Sequence, residues 1–345
     1  MVTSPPEMMS PIVPARLNAL REASGPGPLN ILTHDNPDPD ALASGAALAA
    51  LLNAWGIKTC LFYSGLIARA ENKAMLDLLI PYWTPLQSYS ELPAAAGLAL
   101  VDTQPGAGNN SLPDGIIPKI VIDHHSPVAS GLEGVEFIDI RTEIGATSSM
   151  VYQYLEAAGV EVESKLATAI FYGIKTDTRG LSRGSSEVDQ EVYLKLLRKI
   201  DHRKLSQVEQ AGLPRQYFQA INHGLESTVL FGRVVVAYLR TLHRPDFVAE
   251  MADLLIRMEG IRAALVMGSH TNMFYVSLRT APYEQDAGLL IQKVIAPYGK
   301  AGGHGVVAGG QVQLEGKNVD EVARSVQQEF LSLMGEPMSG EPLLS

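Results

Sequence analysis

Residues 29–45 read Leu29-Asn30-Ile31-Leu32-Thr33-His34-Asp35-Asn36-Pro37-Asp38-Pro39-Asp40-Ala41-Leu42-Ala43-Ser44-Gly45, and their reading decides the fold. A short apolar run ends in His34, Asp38 and Asp40. Ala41 to Leu52 then reads as a small-residue helix, closed by Gly56. The order is strand, turn, helix, with polar groups at the strand's C-terminal end, where parallel α/β sheets hold their ligands. Pro37 and Pro39 fix φ at two points and discourage helix before each of them. The turn is therefore stiff, and Asp38 and Asp40 are expected in an extended segment, aimed at one point. One imidazole and two carboxylates offer nitrogen and oxygen ligands to a divalent ion such as Mn²⁺. A capped turn, in which Asp and Asn satisfy backbone donors, explains the same residues. The stretch alone leaves both readings open.

Working outward, the same device recurs. Residues 97–101 form an apolar strand that runs into Asp102, and residues 120–122 form another that runs into Asp123-His124-His125. Residues 58–63 and 135–138 read as further strands, and 70–79, 146–158 and 164–174 as helices. The last of these leads to Lys175-Thr176-Asp177-Thr178. Ser186 and Asp189 form a capping-box pattern for a helix over 187–200. Strands alternating with helices imply βαβ units and a mainly parallel sheet. Three of these strands end in a metal-type ligand. Singly, Asp102 and Asp177 read as readily as turn formers. Adjacent histidines are harder to bury for packing alone, and alternation in extended chain lets one bind metal while the other faces a ligand. Jointly, His34, Asp38, Asp40, Asp102, His124 and Asp177 would repel and raise one another's pKa. Two divalent cations remove that problem, clamp a phosphate and lower the pKa of a water between them.

The chain has 345 residues, 46% hydrophobic and 19% charged, which fits two folded domains rather than a disordered chain. The net charge of −10 lacks the basic footprint of a long-duplex binder. The single cysteine, Cys60, excludes an internal disulfide and fits a reducing compartment. No signal-peptide pattern opens the sequence, and its longest apolar run is too short to span a bilayer. These features lead us to expect a cytoplasmic protein with no membrane partner. Residues 1–27 read as a loosely ordered leader with a short helix-like piece near 15–23, and 201–224 as a polar connector. Beyond it the pattern changes: a strand over 232–239, a helix over 247–258, a hairpin of 262–267 with 273–278, and helices over 286–295 and 319–333. This is a smaller α+β domain over 225–335, followed by a tail over 336–345.

The four N-terminal stations resemble the motifs of the DHH phosphoesterases: His34 to Ala41, Asp102, the name-giving Asp123-His124-His125, and Gly173 to Thr178. Gly302-Gly303-His304-Gly305 resembles the Gly-Gly-His loop of the DHH-associated domain, so the resemblance covers about residues 28–333. It implies a DHH domain over 28–200 and a substrate-binding domain, with the active-site cleft between them. It further implies one Mn²⁺ on His34 and Asp38, a second on Asp40, His124 and Asp177, and Asp102 bridging both; Mg²⁺ or another divalent ion could replace Mn²⁺. Asp123 would orient a histidine, His125 would face the scissile phosphate, and Arg279, Gly302, Gly303 and His304 would hold a substrate phosphate. Stand-alone oligoribonucleases that also act on 3′-phosphoadenosine 5′-phosphate are the nearest look-alikes. The implied partner is a short oligoribonucleotide or small nucleotide, and a homodimer is compatible with this reading. Two departures from the family pattern are Ala43, where Gly is common, and the lack of Phe after Asp177. Arg69 and Asn72 read as surface helix residues more readily than as substrate contacts.

Three rivals remain. One is a cyclic-dinucleotide phosphodiesterase. Another is a non-catalytic nucleotide binder of the same fold, which would be expected to have lost ligands. The third is a nicotinamide enzyme, since Gly303 to Ala308 matches G-x-G-x-x-A; that fingerprint should follow a strand and open a helix, and here it follows a helical stretch.

Overall fold

The computed structural model describes residues 12–344 except Tyr283; the side chain of His304 also lies outside the description. The chain divides into two compact units, Met1–Gly212 and Leu213–Ser345.

The first unit is built on six strands: β1 (Leu29–Leu32), β2 (Thr59–Ser64), β3 (Trp83–Leu86), β4 (Gly97–Val101), β5 (Ile120–Asp123) and β6 (Phe137–Ile140). They are parallel and lie in the order β3-β2-β1-β4-β5-β6. The sequence reverses direction across the sheet between β1 and β4, and ligands of open α/β sheets bind outside the strand ends at such a switch point. Among the described residues the unit also has seven α-helices: α1 (Pro14–Ser24), α2 (Pro39–Ala54), α3 (Ala70–Leu79), α4 (Thr147–Ala157), α5 (Ser164–Asp177), α6 (Glu187–Leu197) and α7 (His202–Glu209). The capping box expected at Ser186 and Asp189 is present on α6.

The helix α2 is buried along almost its whole length. Its Ala-rich sequence lets α4 and α5 approach closely. A Cβ at Gly173 of α5 would stand 2.9 Å from Ser148 Oγ and 3.1 Å from both Asp40 Cα and the Pro39 carbonyl oxygen. Gly173→Ala is therefore expected to cost about 1–3 kcal/mol through overpacking, partly offset by about 1 kcal/mol of helix propensity. A thermal melt should fall by a few degrees; a rise in midpoint would show that α5 is free to shift.

Three segments differ from the sequence reading. Residues 14–24 are not a loose leader. Leu20 is fully buried and Arg16 pairs with the buried Asp139, which also accepts from the Tyr154 hydroxyl at 2.7 Å. Residues 1–11 of that leader lie outside the described residues. The strand β3 contains Pro85, which an edge strand tolerates. The polar connector is two helices, one in each unit: α7 buries Leu205 and Val208, and α8 (Arg215–Glu226) opens the second unit.

The second unit continues with β7 (Thr228–Phe231), β8 (Val234–Thr241), α9 (Phe247–Leu255), β9 (Ala263–His270), β10 (Met273–Thr280), α10 (Ala287–Ile295), β11 (Lys300–His304), β12 (Val307–Gln313), α11 (Val319–Met334) and β13 (Glu341–Pro342). Its seven-stranded sheet runs β11-β12-β10-β9-β8-β7-β13, with β8 and β9 parallel and the other pairs antiparallel. One face buries α10 and α11 around Phe274 and Phe330, and the other buries α9 around Met251 and Phe247. The expected 273–278 hairpin is present as β9–β10. Residues 303–308 form the β11–β12 hairpin instead of a strand-to-helix turn, which removes the nicotinamide reading.

Candidate metal centre

Each expected ligand of the first unit leaves the C-terminal end of a strand or sits on a helix beside it. His34 follows β1, Asp102 follows β4, and Asp123-His124-His125 closes and follows β5. Asp38 is the N-cap of α2 and accepts the Ala41 amide at 3.0 Å. Capping and ligation, rivals in the sequence, are here combined. The expectation of an extended segment aimed at one point is corrected, because α2 already begins at Pro39. At about 100° of turn per residue, Asp40 is carried round to a different group of ligands.

Three overlapping groups result, His34 with Asp38 and Asp102, Asp40 with His124 and Asp177, and Asp102 with His124 and His125; the ligand-type atoms in each lie within 4.8 Å of one another. Asp102 joins them. Its Oδ2 stands 3.6 Å from His34 Nε2, and its Oδ1 stands 3.6 Å from His124 Nε2. His34 Nε2 lies 3.9 Å from Asp38 Oδ1, and His124 Nε2 lies 3.4 Å from Asp177 Oδ2. These gaps are mostly too long for hydrogen bonds. Ligands about 2.1 Å from a shared ion stand roughly 3.0–3.4 Å apart, so these four gaps are within about half an ångström of ligand spacing. Asp102 is 1% exposed, yet its Oδ2 has no hydrogen-bond donor among the described residues, and the buried His124 Nε2 has no hydrogen-bond partner among them either. Buried polar atoms without partners are costly. These two face donors of their own group, and they fit divalent ions.

The surroundings prepare the ligands. His34 Nδ1 lies 2.9 Å from the Asp35 carbonyl and His124 Nδ1 lies 3.0 Å from the Ile144 carbonyl. Donation from each Nδ1–H leaves the Nε2 lone pair for a cation. Asp40 accepts the Thr147 and Ser148 amides at 2.6 and 2.9 Å, at the N-terminus of α4. The Thr147 hydroxyl donates to Asp102 Oδ1 at 2.7 Å. The β6–α4 turn thus touches His124, Asp40 and Asp102 together. Asp102 itself has φ +62°, a left-handed conformation that costs a non-glycine residue strain and often marks functional sites.

The charges show the same need. Burial, then the carboxylates of Asp102 and Asp38, push the Asp40 carboxyl well above its usual range. Burial, then Asp38, Asp40 and Asp102, do the same to Asp177. Burial pulls His34 down, but the nearby carboxylates of Asp102 and Asp38 outweigh it and raise the imidazole well above its ordinary value. For His125, burial also lowers the pKa, and the hydrogen bond to Asp123 leads the effects that lift it to about 9.

His125 turns its Nδ1 to Asp123 Oδ1 at 2.8 Å, and its ring meets His124 edge-on with centroids 4.5 Å apart. In the second unit, Arg279, Val307 and His304 occupy one row across β10, β12 and β11. Arg279 is 7% exposed; its Nε donates to Asp253 at 2.6 Å and its Nη1 to Ser277 Oγ at 2.9 Å. Gly302 has open space where a Cβ would stand, whereas Gly303, at φ +146°, is packed against Ala308. Sequence reasoning missed Thr147, Ile144 and Gln104. The only trace of them was a hydroxyl-rich helix start, Thr147-Ser148-Ser149, after a strand of the same sheet.

Residues 29–174 match the model of the DHH family's N-terminal domain, and residues 232–332 match the DHHA1 domain. The chain belongs to the DHH family. It is 33% identical, over 83% of its length, to an uncharacterized protein of Methanocaldococcus jannaschii, of which it spans 58%. It is 26% identical, over 87% of its length and 88% of the relative, to the bifunctional oligoribonuclease and PAP phosphatase NrnA of Thermus thermophilus. In three dimensions it resembles an exopolyphosphatase-related protein from Bacteroides fragilis, with a TM-score of 0.74 and 16% identity, covering 94% of this chain and 97% of that one. Among the described residues no helix is long and apolar enough to cross a membrane.

Proposed function

We propose that this DHH-family chain is a two-metal phosphoesterase that hydrolyses dinucleotides and short oligoribonucleotides to mononucleotides, with 3′-phosphoadenosine 5′-phosphate as a second substrate. One observation carries the reading: the buried Asp102 stands between two sets of ligand-type side chains, with Oδ2 3.6 Å from His34 Nε2 and Oδ1 3.6 Å from His124 Nε2. A binder that had given up catalysis would have no use for that arrangement. Divalent ions held there, Mn²⁺ above Mg²⁺ because two imidazoles ligate, supply Lewis acidity and an activated water.

The chain's own residues do the remainder. The amides of α4 keep Asp40 in place while its charge is shared with an ion. His125 keeps its Nδ1 proton on Asp123 and offers Nε2–H to a phosphate oxygen, stabilising charge as it develops there. The hydrogen bond to Asp123 raises the His125 pKa and so favours that protonated form. In this reading the second unit's contacts to a substrate phosphate are Arg279, Gly302, Gly303 and His304. The hydrogen bonds to Asp253 and Ser277 fix the guanidinium in advance. The net charge of −10 disfavours long strands and suits a substrate with few phosphates. The similarity to NrnA supports the same substrate class.

The test is a panel in Mn²⁺: a dinucleotide, a long RNA, 3′-phosphoadenosine 5′-phosphate, a cyclic dinucleotide and pyrophosphate. The dinucleotide should exceed the long RNA, cyclic dinucleotide and pyrophosphate in kcat/KM by about tenfold or more, which is about 1.4 kcal/mol of transition-state preference. Faster turnover of pyrophosphate or of the cyclic dinucleotide would replace this reading with another activity of the fold.

A further inference from the structure

Gln104 sits two residues after the shared carboxylate, on the turn that leaves β4, and it is 1% exposed. All of its carboxamide atoms are engaged. Nε2 donates to Asp123 Oδ2 at 2.6 Å and to the His125 carbonyl at 3.1 Å, and Oε1 accepts the Ala129 amide at 2.7 Å. Flipping the amide would set N–H against N–H at Ala129, so the direction of donation to Asp123 is fixed. Asp123 is itself fully buried, and its other oxygen accepts from His125 Nδ1. Both the ring and the main chain of His125 therefore hang from one residue. The loop is held close as well: a Cβ on Gly131 would stand 2.9 Å from the Pro105 carbonyl oxygen.

We infer that Gln104 is a positioning residue for His125: its carboxamide anchors Asp123 and the 125–129 loop, so that His125 keeps Nδ1–H on Asp123 and presents Nε2 to the substrate. The effect on rate rests on the phosphoesterase reading; the effect on the His125–Asp123 hydrogen bond does not. Removing the amide leaves a buried carboxylate oxygen without its donor, the costly way to lose a hydrogen bond. Asp123 is then free to turn, and the imidazole turns with it.

Gln104→Met keeps the volume and removes all three hydrogen bonds. Gln104→Glu keeps an acceptor for Ala129 and sets an acceptor against Asp123; it serves if the first variant does not fold. Loss of such an orienting partner typically costs about 10–100-fold. That loss should fall on kcat for the dinucleotide, with KM and the Mn²⁺-induced rise in melting temperature unchanged. In a His125→Gln background, Gln104→Met should add no further loss, because the two residues act as a unit. Independent losses that multiply, or a lost response to Mn²⁺, would show a merely structural role and overturn the inference. A second measurement does not need turnover. With Mg²⁺ present, the far-downfield Nδ1–H resonance that His125→Gln removes should vanish or shift in Gln104→Met. An unchanged resonance overturns the inference even if the wild type hydrolyses nothing, whereas an inert wild type with the expected shift sinks the functional reading alone.

Discussion

Asp102→Asn is expected to lower turnover by about 10³-fold or more while the protein stays folded. A charged ligand shared by two ions supplies several kcal/mol of transition-state stabilisation, and about 4 kcal/mol is a factor of about 10³. Asn is chosen over Ala on structural grounds. Residue 102 has φ +62°, which Asn adopts far more readily than Ala. The amide oxygen also still accepts the Thr147 hydroxyl, which now donates to Asp102 Oδ1 at 2.7 Å. What Asn cannot do is give a negative oxygen to each ligand group. Circular dichroism should be unchanged, and the response of melting temperature to Mn²⁺ should shrink. Turnover within tenfold of the wild type would refute the shared-ligand role.

Chelation has the second large effect. Exhaustive removal of divalent ions should abolish hydrolysis and Mn²⁺ should restore it. The melting temperature reports the same event without a substrate. At about 100 times the dissociation constant, a ligand specific to the native state adds about 2.7 kcal/mol. For a unit of this size that corresponds to roughly 5–11 °C. The dependence on pH has a defined sign. His34, Asp40 and Asp177 have raised pKa values in the metal-free protein. Each must lose its proton to ligate, so metal uptake releases protons and affinity falls as pH falls. Calorimetry in buffers of different ionisation enthalpy measures that release. A melting temperature indifferent to Mn²⁺, or uptake without proton release, would mean that these side chains do not form the site.

Much of the first unit was legible in residues 29–45 and their echoes. Parallel strands buried on both faces are short apolar runs, and a ligand-type residue at the end of such a run marks the working edge of the sheet. That logic located His34, Asp102 and the Asp123-His124-His125 triplet. It failed where the pattern was diluted. The short β3 carries a proline, and the Gly-rich β11 pairs through its backbone with few side chains to announce it. The helices α7 and α8 lie in polar chain, and α8 buries only part of one face.

The amino-acid sequence by itself determined the fold class, the family and the six metal-type side chains, because hydrophobic period and residue chemistry are local properties of the chain. Only the tertiary structure brought those six side chains within reach of one another, set one Asp102 oxygen toward His34 and the other toward His124, and revealed Gln104, Thr147 and the Ile144 carbonyl behind them. Those partners meet across separations of 19 to 45 residues, and hydrogen bonds formed by the closing of a sheet leave no period in the chain that makes them.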